Sequence, residues 1–262
     1  MSDEAYLDIF LAPILVSKLY RPKLGDARSA GYSLADFLEL YGADPFYAWI
    51  GLDSDLMYAA HRAAGGMTSL YRQIGVGCEN LFRQIIADVA QYDDPTLAYW
   101  SYQAQAPSGR TKTLKLDARL EMSQIQNQAL LEHVTQWAAY YAAQLDADPP
   151  HKGIVFEVRQ GYKSKDSKRQ NADIDNATVA WSKGYLPVFA VFSGQIDSDI
   201  VLRYRNSRSG ILIGTLSVDP SISLYAFMEK VIGYDLAGFF ERNSRHIRQQ
   251  VLAVIQTLLS AE

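Results

Sequence analysis

The clearest periodic signal lies in residues 75–92, GVGCENLFRQIIADVAQY. Leu81, Phe82, Ile85, Ile86 and Val89 fall on one stripe of a helix. Asp93-Asp94-Pro95 ends it. AYWSYQAQA (98–106) is aromatic and partly alternating, and predicts a strand. PSG at 107–109 reads as a turn, and the alternating TKTLKL (111–116) as a second strand running into Asp117. From Leu120 through Leu130, Val134, Trp137, Ala138 and Tyr141 to Leu145 the spacing is helical, which predicts a helix over 118–146. DADPP at 146–150 breaks it. GIVFEVR (153–159) and LPVFAVFS (186–193) are continuous apolar runs, which suit strands of a sheet covered on both faces. The polar run between them starts a helix reaching about Lys183, with Gly184 as the stop. Strand, helix and strand make a right-handed crossover unit. GILIGTLSV (210–218) predicts one more strand, and 222–262 two helices.

Residues 1–75 predict short helices and loops. In AGYSLADFLELYG, Ser33 is the N-cap and Gly42 the stop. DPFYAWIGLDSDLMYAAHRAAGG is aromatic and ends in a glycine pair. The whole pattern predicts an α/β (α+β) fold with a mixed central sheet flanked by helices. An accessory or dimerising helical region, 1–75, is packed as one unit with a domain at 76–262.

Composition narrows the classes. A chain of 262 residues that is 48% hydrophobic and 21% charged folds around its own core, which excludes a disordered or low-complexity scaffold. The single cysteine, Cys78, excludes a disulfide framework and a thiolate zinc cluster. The four histidines are scattered, with no HxxxH pair. The acidic start, MSDEAYLDIF, does not read as a signal peptide, and no apolar run reaches membrane-spanning length. A soluble, cytoplasmic protein of a prokaryotic cell, with no membrane partner, is expected. The net charge of −4 excludes binding of polyanions by bulk charge alone.

Charge is concentrated in one place. EVRQGYKSKDSKRQNAD (157–173) carries Arg159, Lys163, Lys165, Lys168 and Arg169, a stripe suited to a phosphate backbone. Gln160, Gln170 and Asn171 add amides able to read base edges. Arg203 and Arg205 in RYRNSRSG form a second cationic cluster. Glu157 is the odd member. Alternation puts it on one strand face with Val155 and Arg159, and a carboxylate on a buried strand is costly unless it is paired or binds a cation. An acid and a basic group converging on phosphate point to metal-assisted phosphodiester hydrolysis. The structural alternative is an ion pair of Glu157 with Arg159 or Lys152.

The string EVRQGYKSKDSKRQNADI, between a buried strand and a helix leading to a second buried strand, resembles the catalytic region of type II restriction endonucleases of the PD-(D/E)XK nuclease superfamily. The resemblance spans about 80–195 and is specific over 153–193. It implies a restriction-endonuclease-like core and sequence-specific, Mg2+-dependent cleavage of double-stranded DNA by a homodimer, as part of restriction-modification. It implies two metal-binding acids on adjacent strands. Glu157 matches the second. Asp117 is the choice for the first over Asp146 and Asp148, although Asp117 also suits the N-cap of a helix at 118. Where the family has lysine two residues after the second acid, this chain has Arg159, so Lys163, or else Lys165, supplies the catalytic amine. Arg159, Gln160, Lys168, Arg169, Gln170, Asn171, Arg203 and Arg205 become the DNA-contacting set. Glu79 resembles the helical glutamate near the metal, and Asp173 supports the site from behind. A non-catalytic DNA-binding protein using the same basic stripe is the alternative.

Overall fold

The computed structural model describes residues 1–24, 30–105, 111–162 and 167–260. It divides into two compact units. One comprises Met1–Tyr6 and Cys78–Glu241; the other comprises Leu7–Gly77 with the chain from Arg242 onward. The unit boundaries fall inside helices α1 (Asp3–Val16), α4 (Asp55–Ala90) and α9 (Leu236–Leu259).

The second unit is helical among its described residues. Besides parts of those three helices it holds α2 (Leu34–Gly42) and α3 (Pro45–Trp49). Ser33 opens α2 with a full capping box: its hydroxyl accepts from Asp36 N, and the Asp36 carboxylate accepts from Ser33 N. The glycine pair that closes the aromatic stretch does not interrupt the chain's helix. Gly65 and Gly66 lie within α4, which runs on for 36 residues. They serve close packing: a Cβ at Gly65 would fall 1.9 Å from the Tyr20 hydroxyl, and one at Gly66 would fall 2.5 Å from Leu258.

The first unit carries the sheets. β1 (Trp100–Gln105) and β2 (Thr111–Leu116) form an antiparallel pair. β3 (Ala118–Glu121), β4 (Gly153–Arg159), β5 (Tyr185–Val191) and β6 (Gly210–Ile213) form a four-stranded sheet in that order. β3 is antiparallel to β4, and β4, β5 and β6 are parallel, so the sheet is mixed, flanked by helices as the pattern predicts. α5 (Gln128–Gln144) precedes β4, α6 (Ser167–Ser182) joins β4 to β5, and α7 (Ser198–Asn206) joins β5 to β6. The short α8 (Leu224–Phe227) follows.

Alternation along β4 sends Ile154, Phe156 and Val158 to one face, where Phe156 meets Phe82 edge-on and Phe227 at a tilt. Val155 lies on the other face, in a cluster with Trp100, Tyr102, Leu116, Ala180 and Tyr185. The α6 stripe Gln170, Asp173, Ala177 and Ala180 is buried. Gly184 ends that helix region with φ +87°, as a left-handed stop requires. Among the described residues, no helix is long and apolar enough to cross a membrane.

Two expectations are corrected. The helix predicted over 118–146 begins only at Gln128, because Ala118–Glu121 pairs with β4 and Asn127 caps the helix through Leu130 N. The strand predicted over 210–218 stops at Ile213. Beyond it, a Cβ at Gly214 would fall 1.8 Å from the Phe192 carbonyl oxygen, and Thr215 N turns back to Ile213 O. The cationic cluster at Arg203 and Arg205 falls in the last turn of α7, whose Ile200 and Tyr204 are buried one turn apart.

Candidate active site

Asp117 and Glu157 come together because β3 and β4 pair. Ala118 is registered with Phe156, which sets Asp117 beside Glu157 on the neighbouring strand. Asp117 N donates to Phe156 O at 2.9 Å, and Asp117 Oδ2 accepts from Val158 N at 2.7 Å. Asp117 therefore precedes a strand, and the helix-capping role is corrected. Arg83 of α4 donates to the Asp117 carbonyl at 2.5 Å, and its guanidinium lies 4.3 Å from the Tyr99 ring centre. Asp146 and Asp148 lie ahead of β4, at the opposite end of the parallel strands. The five-residue run from Gly153 to Glu157 alone spans about 13 Å of strand.

Arg159 pairs with Glu157 through Nη2 and Oε1, and the same Nη2 lies 3.1 Å from Asp173 Oδ1. The three side chains are 13%, 12% and 5% exposed, so this is an interior cluster. Tyr204 donates its hydroxyl to Asp173 Oδ2 at 2.7 Å; the Tyr162 hydroxyl is 2.7 Å from that of Tyr204 and 3.3 Å from the same carboxylate oxygen. One guanidinium thus serves two carboxylates, with Asp117 alongside. Arg159 Nε is buried with no hydrogen-bond partner among the described residues.

The electrostatics follow. Burial pushes the Glu157 carboxyl up to about 8, and the Asp117 charge adds to it; Arg159 pulls the other way, and Asp173 and Glu79 push it up further. Geometry and charge oppose each other here, since the ion pair favours the carboxylate and the crowd of acids favours the protonated form. The upward direction holds because burial is the larger effect and one cation is shared by several acids. Burial opposes the charged form of Arg159, but Glu157, Asp173 and Asp117 together raise its pKa above the ordinary value. Burial also raises the Tyr204 hydroxyl, and hydrogen bonding to Tyr162 and Asp173 reinforces it.

The other expected residues are distributed as follows. Lys163 and Lys165 lie outside the described residues, as does the side chain of Arg169. Lys168 is exposed on the first turn of α6, and Gln160 is half-buried after β4. Gln170 is buried and accepts from Arg203 Nη1 at 2.6 Å, while Asn171 accepts from Arg203 Nη2 at 2.5 Å. Arg203 therefore ties α7 to α6, and Gln170 is buried in that contact. Arg205 lines a cavity of about 440 Å³ with Tyr141, Asp146 and Arg208, at the opposite end of the parallel strands from Glu157.

Sequence reading missed Arg83, Tyr162 and Tyr204. The spacing of Ile200 and Tyr204 was the available signal for the last. Among the described residues, no group of three or more His, Cys, Asp or Glu side chains is arranged to hold a metal ion. What the site offers is a pair of carboxylates. Mg2+ commonly takes one or two protein carboxylates, with waters and substrate phosphate completing its shell, so the donor set fits a cation of this class. No family model matches the chain, and no curated protein or solved structure matches it either.

Proposed function

We propose that this protein is a Mg2+-dependent nuclease that cuts double-stranded DNA at specific sequences, acting as a homodimer in the cytoplasm of a prokaryotic cell as part of restriction-modification. The observation that carries the reading is the pair of Asp117, just ahead of β3, and Glu157 on β4, with Glu157 pushed up to about 8 by burial and by the acids around it. An excess of buried carboxylate over cation favours binding of a divalent ion, which would release the Glu157 proton.

Asp117 and Glu157 would hold the cation. When bound, Mg2+ supplies polarisation of the phosphoryl oxygen and a more acidic water. Val158 N fixes one oxygen of Asp117, and Arg83 fixes its backbone. Lys163, or else Lys165, would supply the amine beside the phosphate, and the exposed Lys168 would contact the backbone of the duplex.

The ion pair between Arg159 and Glu157 favours the alternative, a DNA-binding protein without catalysis, because a carboxylate already paired needs no metal. Incubation with plasmid and phage DNA separates the two. The nuclease reading expects discrete fragments with Mg2+, none with EDTA, and loss of cutting by about a hundredfold or more in Glu157→Gln and Asp117→Asn, at least the loss typical of disturbing a metal's supporting groups. Salt-sensitive binding without cutting would select the alternative. Absence of both would end the DNA reading.

A further inference from the structure

Arg159 occupies the position that the metal reading needs least filled. Its Nη2 touches the Glu157 carboxylate on one side and Asp173 Oδ1 at 3.1 Å on the other. A fixed positive charge on a metal ligand opposes a divalent cation at that ligand. Asp173 is nonetheless only 5% exposed and held by the Tyr204 hydroxyl at 2.7 Å, so it stays in place whichever acid the arginine favours. The guanidinium is also incompletely used. Nη2 serves both acids while the buried Nε has no hydrogen-bond partner among the described residues. A side-on pairing with Asp173 through Nε and Nη2 would satisfy Nε and leave Glu157 free.

We propose that Arg159 is a built-in counter-ion for Glu157, released to Asp173 when a divalent cation binds. This rests on the metal reading given above. Without a cation, Arg159 lies against the Glu157 carboxyl and balances the charge that this acid carries as it loses its proton. With one, the two positive charges repel, and the arginine moves the short way to an acid already anchored by tyrosine. Arg159 and Asp173 are then positioning residues that set cation affinity without ligating the ion.

The two residues predict opposite signs. Removing the competing charge in Arg159→Met should tighten cation binding by about tenfold or more, the scale expected when an opposing charge is taken away at ion-pair distance. Removing the acceptor in Asp173→Asn should weaken it, because Arg159 then returns wholly to Glu157. In the double variant the Asp173→Asn effect should vanish. A residue that merely supports the fold would weaken binding in every variant.

Isothermal titration of the full chain with Mn2+ measures this directly, with Glu157→Gln as the control that loses the site. Tighter binding in Arg159→Met, weaker in Asp173→Asn and no further loss in the double variant is the expected pattern. Binding in Arg159→Met no tighter than in the unaltered chain, with Glu157→Gln still losing it, would overturn the counter-ion role and leave the metal site standing. No Mn2+ binding by either the unaltered chain or Arg159→Met would overturn the metal reading and this proposal with it. Should Arg159→Met fail to fold, Asp173→Asn decides alone, and undiminished Mn2+ binding there overturns the proposal.

Discussion

Glu157 is the residue on which charge and stability meet. An acid that holds its proton more tightly folded than unfolded favours the fold while it is protonated. Its pKa rises from 4.5 to about 8 on folding, so its contribution is complete below about 4.5 and is lost as pH climbs through 8. In EDTA, urea unfolding should therefore show stability declining between about pH 5 and pH 8, by at most roughly 1.4 kcal/mol per pH unit. Glu157→Gln should flatten that slope; parallel profiles for the two proteins would exclude the effect. The cost of this carboxylate was legible in the alternation of GIVFEVR. Its surroundings were not, because Asp117 is forty residues away and Asp173 reaches it only through the fold of α6. The cluster belongs to pairing between elements, which local pattern does not encode.

At the scale of elements, strands with strong apolar runs were legible and their neighbours less so. β2 and β4 coincide with the predicted TKTLKL and GIVFEVR. β3 was not, because its four residues also fit the front of a helical stripe, and only pairing with β4 decides between them. That pairing makes a sharp prediction. Gly153 has φ +150°, and a Cβ there would fall 1.9 Å from the Leu120 carbonyl oxygen, an atom of the β3 backbone that cannot give way cheaply. Gly51 is the contrasting case, with φ +75° and open space around it. Gly51→Ala should cost about 1 kcal/mol, the backbone penalty alone. Gly153→Ala should cost at least about 2 kcal/mol more, combining a steric clash with lost pairing at the Glu121 end of β3. Chemical denaturation of both variants checks this. Equal losses would mean that the β3–β4 contact is slack, and with it the alignment of Asp117 and Glu157.

For the whole molecule, charge and chain order set what the sequence conceals. The chain from Arg242 onward belongs with Leu7–Gly77 and not with the sheet it follows, a grouping of segments far apart in the chain that no local pattern reports. Nor does a run of basic residues reveal which of them share a surface. Twenty-five lysines and arginines against 29 acids leave no general attraction for DNA, so any affinity must come from a few cations at one place. Arg203 is engaged with Gln170 and Asn171, and Arg205 lies at the end of the sheet away from Glu157. Lys168, exposed at the start of α6, is on the helix that carries Asp173. DNA affinity should thus fall with salt, with a logarithmic slope near −0.9 for each phosphate neutralised. Lys168→Ala should reduce that slope by about one, and Arg205→Ala should leave it unchanged. Fluorescence anisotropy of a labelled duplex across a salt series measures both. A slope reduced by Arg205→Ala and untouched by Lys168→Ala would move the nucleic-acid surface to the far end of the sheet and separate it from the paired acids. Bound DNA would then be held where Asp117 and Glu157 cannot reach it.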